Sequence, residues 1–202
     1  RPGPHRAAPD PSHSAGAVSA DPIRILTVCT GNICRSPAAE RLLAAGLGDA
    51  AQVTSAGTGA LPGYPMDAAM VPLVEAAGAS TDGFAARQLT PAMVKSADLI
   101  LALTTAHRSQ AVRLAPVAVR RSFTLLELAR IVGSPAFPAL TTESVSDRLR
   151  EMVQQAAPRR MLGADGVVDD DVPDPFRRGP EVFASSFVMI RDAVDVIVDA
   201  VH

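Results

Sequence analysis

A chain of 202 residues with 48% hydrophobic side chains is long enough for one domain with a substantial core and is unlike a disordered protein. Its net charge of −2 excludes the strongly basic surface of a nucleic-acid binder. The two cysteines, Cys29 and Cys34, are too few and too close together for a secreted disulfide framework, so a reducing, cytoplasmic setting is the simpler reading. No apolar run reaches the ~18 residues of a membrane span.

Residues 1–22 hold five prolines and no large apolar cluster, and read as a disordered tail without the apolar stretch of a secretory signal. Structure is expected to begin at Ile23, where Ile23 to Val28 is short, β-branched and mostly apolar, as in a buried strand. A turn at Thr30-Gly31-Asn32 follows. Ser36-Pro37 then opens a helix, serine suiting the N-cap and proline the first helical position. Gln52 to Ala56 reads as a second strand, and Asp67 to Ala77 as a helix stopped by Gly78. Asp98 to Leu103 is a third strand and Thr105 to Leu114 a helix. Val117 to Thr124 contains a fourth strand, and Leu125 to Val132 is a short helix closed by Gly133. From Pro180 to Val201, Phe183, Phe187, Ile190, Val194, Ile197 and Val201 recur at spacings of three and four and form one buried helical stripe.

Strands alternating with helices imply a four-stranded parallel α/β sheet, doubly wound with helices on both faces, in which ligands bind at the carboxyl ends of the strands. Residues 134–172 interrupt the alternation and read as an insertion beside the site. It contains an amphipathic helix over Ser144 to Gln155, followed by loop from Pro158 to Asp171, within one domain spanning 23–202.

Cys29 stands at the carboxyl end of the first strand, just before a helix. Cys29-Thr30-Gly31-Asn32-Ile33-Cys34-Arg35-Ser36 is a cysteine, five residues, an arginine and a serine. A loop of that size can curl so that the amides of Thr30, Gly31, Asn32, Ile33 and Cys34 face one centre, with the positive end of the following helix added. Arg35 can close the ring with two parallel hydrogen bonds to a phosphate. Gly31 is expected to supply a positive φ. A thiol at the bottom of such a cradle ionises readily and can attack phosphorus. Ser36 is placed to donate to the sulfur, and the Asn32 side chain to hold the loop open. The bland alternative is a structural cysteine in a strand-to-helix turn.

At these residues the sequence resembles the low-molecular-weight protein tyrosine phosphatase family, in its bacterial branch. Cys29 to Pro37 is similar to the family's signature loop, and Ser55-Ala56-Gly57-Thr58 to its second-strand motif. Gly63, Asp67, Ala86-Arg87-Gln88 and Ala97 to Leu101 resemble further blocks, and Asp174-Pro175-Phe176 resembles its Asp-Pro-aromatic motif. The resemblance implies hydrolysis of protein phosphotyrosine through a phosphocysteine, without a metal or cofactor. It makes Cys29 the nucleophile, Arg35 the phosphate ligand and Asp174 the general acid. It gives Asn32, Ser36 and Ser55 to loop support, and Leu61 and Phe176 to the substrate mouth. A phosphotyrosine protein, such as a bacterial tyrosine autokinase, is the implied partner. Three departures stand out: Leu61 where many members carry an aromatic, Phe84 where many carry a histidine buttressing the loop asparagine, and Phe176 in place of tyrosine.

Among the aspartates ahead of the last helix, Asp165 and Asp169 to Asp171 read as a solvated loop. Asp174 differs because Pro175 restricts its backbone and Phe176 can seat it on apolar surface. These carboxylates lack the spacing of a calcium loop. Cys34 is either a redox guard that pairs reversibly with Cys29 or a small residue packed into the loop. The histidines show no ligand spacing to the cysteines, and His107 reads as a helix-surface residue. Arsenate reductase uses a similar loop but needs further cysteines, and none follows Cys34. A phosphate-binding regulatory module without turnover is the remaining alternative.

Overall fold

The computed structural model describes residues 21–161 and 169–202. The expected tail, apart from Asp21 and Pro22, lies outside the described residues, as does Asp165.

Four parallel strands, β1 (Ile23–Cys29), β2 (Ala51–Gly57), β3 (Leu99–Ala102) and β4 (Ser122–Thr124), form one sheet in the order β2-β1-β3-β4. The crossovers are helical, and the alternation of side chains along each strand feeds two separate cores. Ile23 and Ile25 on β1, Leu99 and Leu101 on β3, and Phe123 on β4 pack against α1 (Arg35–Leu47), α5 (Leu125–Val132), α6 (Val145–Ala156) and α7 (Pro180–Asp199). Leu26, Val28 and Ile100 point the other way, toward α3 (Pro91–Ser96) and α4 (Thr105–Leu114). The doubly wound arrangement follows from these two apolar faces.

Several elements differ from expectation. α1 starts at Arg35, with Cys34 as an N-cap that makes no side-chain capping bond, so Ser36 lies inside the helix and is not its cap. α2 is only Val71–Ala76, because Pro72 has no N–H and suits only the first turn of a helix. α3 has no counterpart among the expected elements; Thr90 caps it, accepting from the amide of Met93, and Pro91 opens it. The insertion helix is present as α6, capped by Ser144, but it does not lie beside the end of β1 that carries Cys29. Arg150 donates to the carbonyl of Asp21, just ahead of β1, and Arg148 to those of Val201 and His202 past α7. Asp21 lies at the opposite end of β1 from Cys29, and α6 goes there because its apolar residues Leu149, Met152 and Ala156 join the core shared with α5 and α7. Within the insertion, the described residues that reach the site are the last few, up to Val172.

Candidate active site

β1 delivers Cys29 to the carboxyl edge of the sheet, and the chain must then reverse into α1. The reversal turns its carbonyls outward: those of Cys29, Thr30, Gly31 and Ile33 accept from the amides of Thr58 (2.9 Å), Gly59 (3.0 Å), Leu61 (3.2 Å) and Asp67 (2.8 Å). The amides of Gly31 to Ser36 have no acceptor among the described residues, which leaves a row of donors on the inner side of the turn. Gly31 does not adopt a positive φ; Asn32 does, at 56°. Asparagine tolerates that region, and here its amide is locked on three sides. Gly57, next to Cys29 across the sheet, has the Thr30 carbonyl so close that a Cβ would sit 2.3 Å from it.

Beneath the turn runs a chain of buried hydrogen bonds. The Asn32 Nδ2 donates to Ser36 Oγ (3.0 Å) and to Ser55 Oγ (2.8 Å), while its Oδ1 accepts from the amide of Arg87 (2.7 Å). Ser55 donates to the carboxylate of Glu40. Because both Asn32 N–H groups are given away in this direction, the Ser36 hydroxyl is free to give its own proton to Cys29 Sγ, 2.9 Å away. Ser36 thus meets the sulfur, as its place in the sequence suggests. Phe84 forms no part of the chain and lies under the guanidinium of Arg41.

Arg35 is 4% exposed. Its Nη1 donates to the carbonyl of Val172 (3.0 Å) and its Nη2 pairs with Asp174 Oδ2 (2.8 Å). The guanidinium therefore joins the turn to the segment that carries the expected acid. Asp174 is half-exposed and also accepts from the amide of Phe176 (3.2 Å). Cys29, Arg35 and Asp174 line one cavity of about 190 Å³ together with Thr30, Gly31, Ile33, Cys34 and Gly59, and with Leu61 and Phe176 at the rim. Leu61 and Phe176 remain 38% and 40% exposed, so the opening is apolar above a polar floor. The expected residues thus converge, with Asn32, Ser36 and Ser55 one layer below the cavity. Cys34 is a buried free thiol, pushed up by burial and by the nearby Asp67, Cys29 and Asp174.

His107 is not on a helix surface. It is 5% exposed, and its Nε2 meets Thr30 Oγ1 at 2.8 Å. Burial, followed by the positive charge of Arg35, pushes it down to about 4. Asp170 and Asp171 are not merely solvated either: Asp170 pairs with Arg130 (2.8 Å), and Asp171 accepts from the amide of Thr105 (2.6 Å) at the start of α4. Glu40 and His107 are neighbours of the site that sequence reasoning missed, and Arg87, quoted only as part of a resembling block, supplies the amide that holds Asn32. Glu40 lies one turn beyond Ser36 on the same face of α1, and Thr104 precedes His107 at capping distance; both signals were available.

The chain matches the family model described as low molecular weight phosphotyrosine protein phosphatase over residues 24–132. It is 46% identical over 92 residues to the low molecular weight protein-tyrosine-phosphatase Etp of Escherichia coli, a match covering 46% of this chain and 62% of that protein. It is 37% identical over 142 residues to the probable low molecular weight protein-tyrosine-phosphatase EpsP of Ralstonia nicotianae, covering 69% of this chain and 97% of the relative. Among solved structures, Vibrio vulnificus Wzb in complex with benzylphosphonate aligns with a TM-score of 0.63 at 26% identity, covering 88% of this chain and 97% of that one.

Proposed function

The chain belongs to the low molecular weight phosphotyrosine protein phosphatase family, and on that premise we propose that it hydrolyses phosphotyrosine in proteins through a phosphocysteine intermediate. The observation that carries the reading is the Cys29 sulfur, held by the Ser36 hydroxyl at the floor of a cavity that Arg35 and Asp174 also line. The phosphate oxygens take the inward amides of the turn and the Arg35 guanidinium. The Cys29 thiolate attacks phosphorus in line with the ester oxygen, and Asp174 gives that oxygen its proton as the phenol leaves. In the second step Asp174 takes a proton from water, water attacks the phosphocysteine, and the sulfur departs with the Ser36 hydrogen bond stabilising its charge. Leu61 and Phe176 cover the phenyl ring. For this to happen, the Arg35–Asp174 pair must yield one guanidinium edge to the incoming phosphate.

The same proposal treats residues 23–202 as one phosphatase domain with an insertion over about 134–172. It places the enzyme in a reducing cytoplasm, where both thiols stay free, and assigns it a phosphotyrosine protein such as a tyrosine autokinase as partner. Among the described residues no helix is long and apolar enough to cross a membrane. Arsenate reduction has less support, because no cysteine follows Cys34 to carry a disulfide onward. The test is hydrolysis of p-nitrophenyl phosphate and of a phosphotyrosine peptide. The wild type should release phosphate and Cys29→Ser should not; equal release by both would remove Cys29 from the nucleophile role.

A further inference from the structure

Leu103, just past β3, and the first turn of α4 together touch both halves of the catalytic machinery. From the nucleophile side, Leu103 N donates to the Val28 carbonyl (2.8 Å), and the His107 ring meets Thr30, the residue after Cys29. From the acid side, Val172 N donates to the Leu103 carbonyl (2.9 Å), and Asp171 caps the Thr105 amide. His107 is the most constrained group in this turn. Its Nδ1 lies 2.9 Å from Thr104 Oγ1, the same oxygen that accepts its backbone N–H at 3.2 Å, and its Nε2 lies 2.8 Å from Thr30 Oγ1. With both ring nitrogens engaged and the ring buried, the imidazole cannot rotate without losing a hydrogen bond.

Resting on the phosphatase reading, we infer that His107 is a positioning residue that pins Thr30, and through it the first turn of the phosphate cradle, to the helix that also anchors the Asp174 segment. It does not touch the substrate. Its work is to fix where the inward amides stand relative to the acid. The charged groups facing the ring are Arg35 from α1 and Asp171 and Asp174 from the segment ahead of α7. Burial and the Arg35 cation both disfavour a second proton on it, so the pin is a neutral imidazole near pH 7. A surface histidine or a mere core filler would need neither of its two threonine partners.

The experiment compares three variants by inorganic phosphate affinity, which needs no turnover, and by kcat and KM on a phosphotyrosine peptide. His107→Asn keeps a polar atom near the Nδ1 position, facing Thr104, but cannot reach Thr30. His107→Gln carries its polar end near the Nε2 position. Thr30→Val removes the partner hydroxyl without changing side-chain shape. His107→Asn and Thr30→Val should each weaken phosphate binding about five- to tenfold, the size of one lost buried hydrogen bond. The double variant should be no worse than either alone, and His107→Gln should stay within about threefold of wild type. Native phosphate affinity in His107→Asn, or losses that multiply in the double variant, would overturn the inference. A wild type that binds phosphate but hydrolyses nothing would instead count against the proposed reaction alone.

Discussion

Replacing Gly57 with alanine tests how the cradle is supported. The new Cβ would lie 2.3 Å from the Thr30 carbonyl oxygen and 3.0 Å from both the Asn32 nitrogen and the Ala60 Cβ. Gly57 has no room to retreat: its N–H donates to Arg87 (2.9 Å), its carbonyl accepts from Leu89 (2.8 Å), and it sits in register with Cys29. The cradle must therefore move, by about 0.7 Å or more, to restore tolerable contact. Overpacking of this kind costs about 1–3 kcal/mol of stability. A displacement near 1 Å at a reacting centre can cost ~10²-fold in rate. Urea denaturation and kcat/KM on a phosphotyrosine peptide measure the two effects. Gly59→Ala, whose Cβ would meet only the Thr30 methyl at 3.9 Å, is the steric control and should denature within about 0.5 kcal/mol of wild type. Wild-type stability and turnover in Gly57→Ala would refute the claim that the cradle rests against β2.

Asp174→Ala should lower kcat by about 10²–10⁴-fold on phenolic phosphates and much less on esters whose leaving group needs no proton, while phosphate still binds. A uniform loss across leaving groups would point to another acid. Asn32→Ala removes the centre of the buried chain and the residue that takes positive φ; it should slow turnover and destabilise by about 1–3 kcal/mol, read by denaturation. For pH dependence, His107 titrates at about 4 in the folded chain and near 6.5 when unfolded. As pH falls, the unfolded state takes the proton first, so stability that is intact above about 6.5 is lost progressively toward 4, by up to ~3 kcal/mol. Denaturation at pH 7.5 and 4.5 should show this loss in wild type and a smaller one in His107→Gln; equal losses would remove His107 from the acid limb. Phe176→Ala should raise KM for aryl phosphates severalfold and leave inorganic phosphate affinity near wild type, because Phe176 borders the mouth and not the cradle floor.

Much of the fold could be read from local pattern. β1 is a β-branched apolar run, and α4, α5 and α7 carry clear stops or a long apolar stripe; their bounds fall within about two residues of expectation. α2 and α3 were harder because each is six residues long, too short for periodicity to speak, and only Pro72 and the Thr90-Pro91 pair mark where they start. The cradle was legible because its chemistry is contiguous in sequence, from Cys29 to Ser36. Its internal geometry was not. Glycine is the usual choice for positive φ, yet Asn32 takes it, because the fold repays the strain with three hydrogen bonds to its amide. Long-range partners were the main loss. His107 stands 77 positions from Thr30, and Val172 is 137 from Arg35, distances at which only the sheet order brings them together. The insertion helix shows in its amphipathic pattern, but nothing local says which end of the sheet it covers.

Phosphorylation of the Cys29 sulfur is the event that separates this enzyme from a phosphate-binding module. Rapid acid quenching of the enzyme during turnover of a phosphotyrosine peptide, followed by peptide mapping, should find the phosphoryl group on Cys29, accumulating further in Asp174→Ala with an activated ester because water attack is slowed. A phosphoryl group on another residue, or steady turnover by Cys29→Ser, would contradict it.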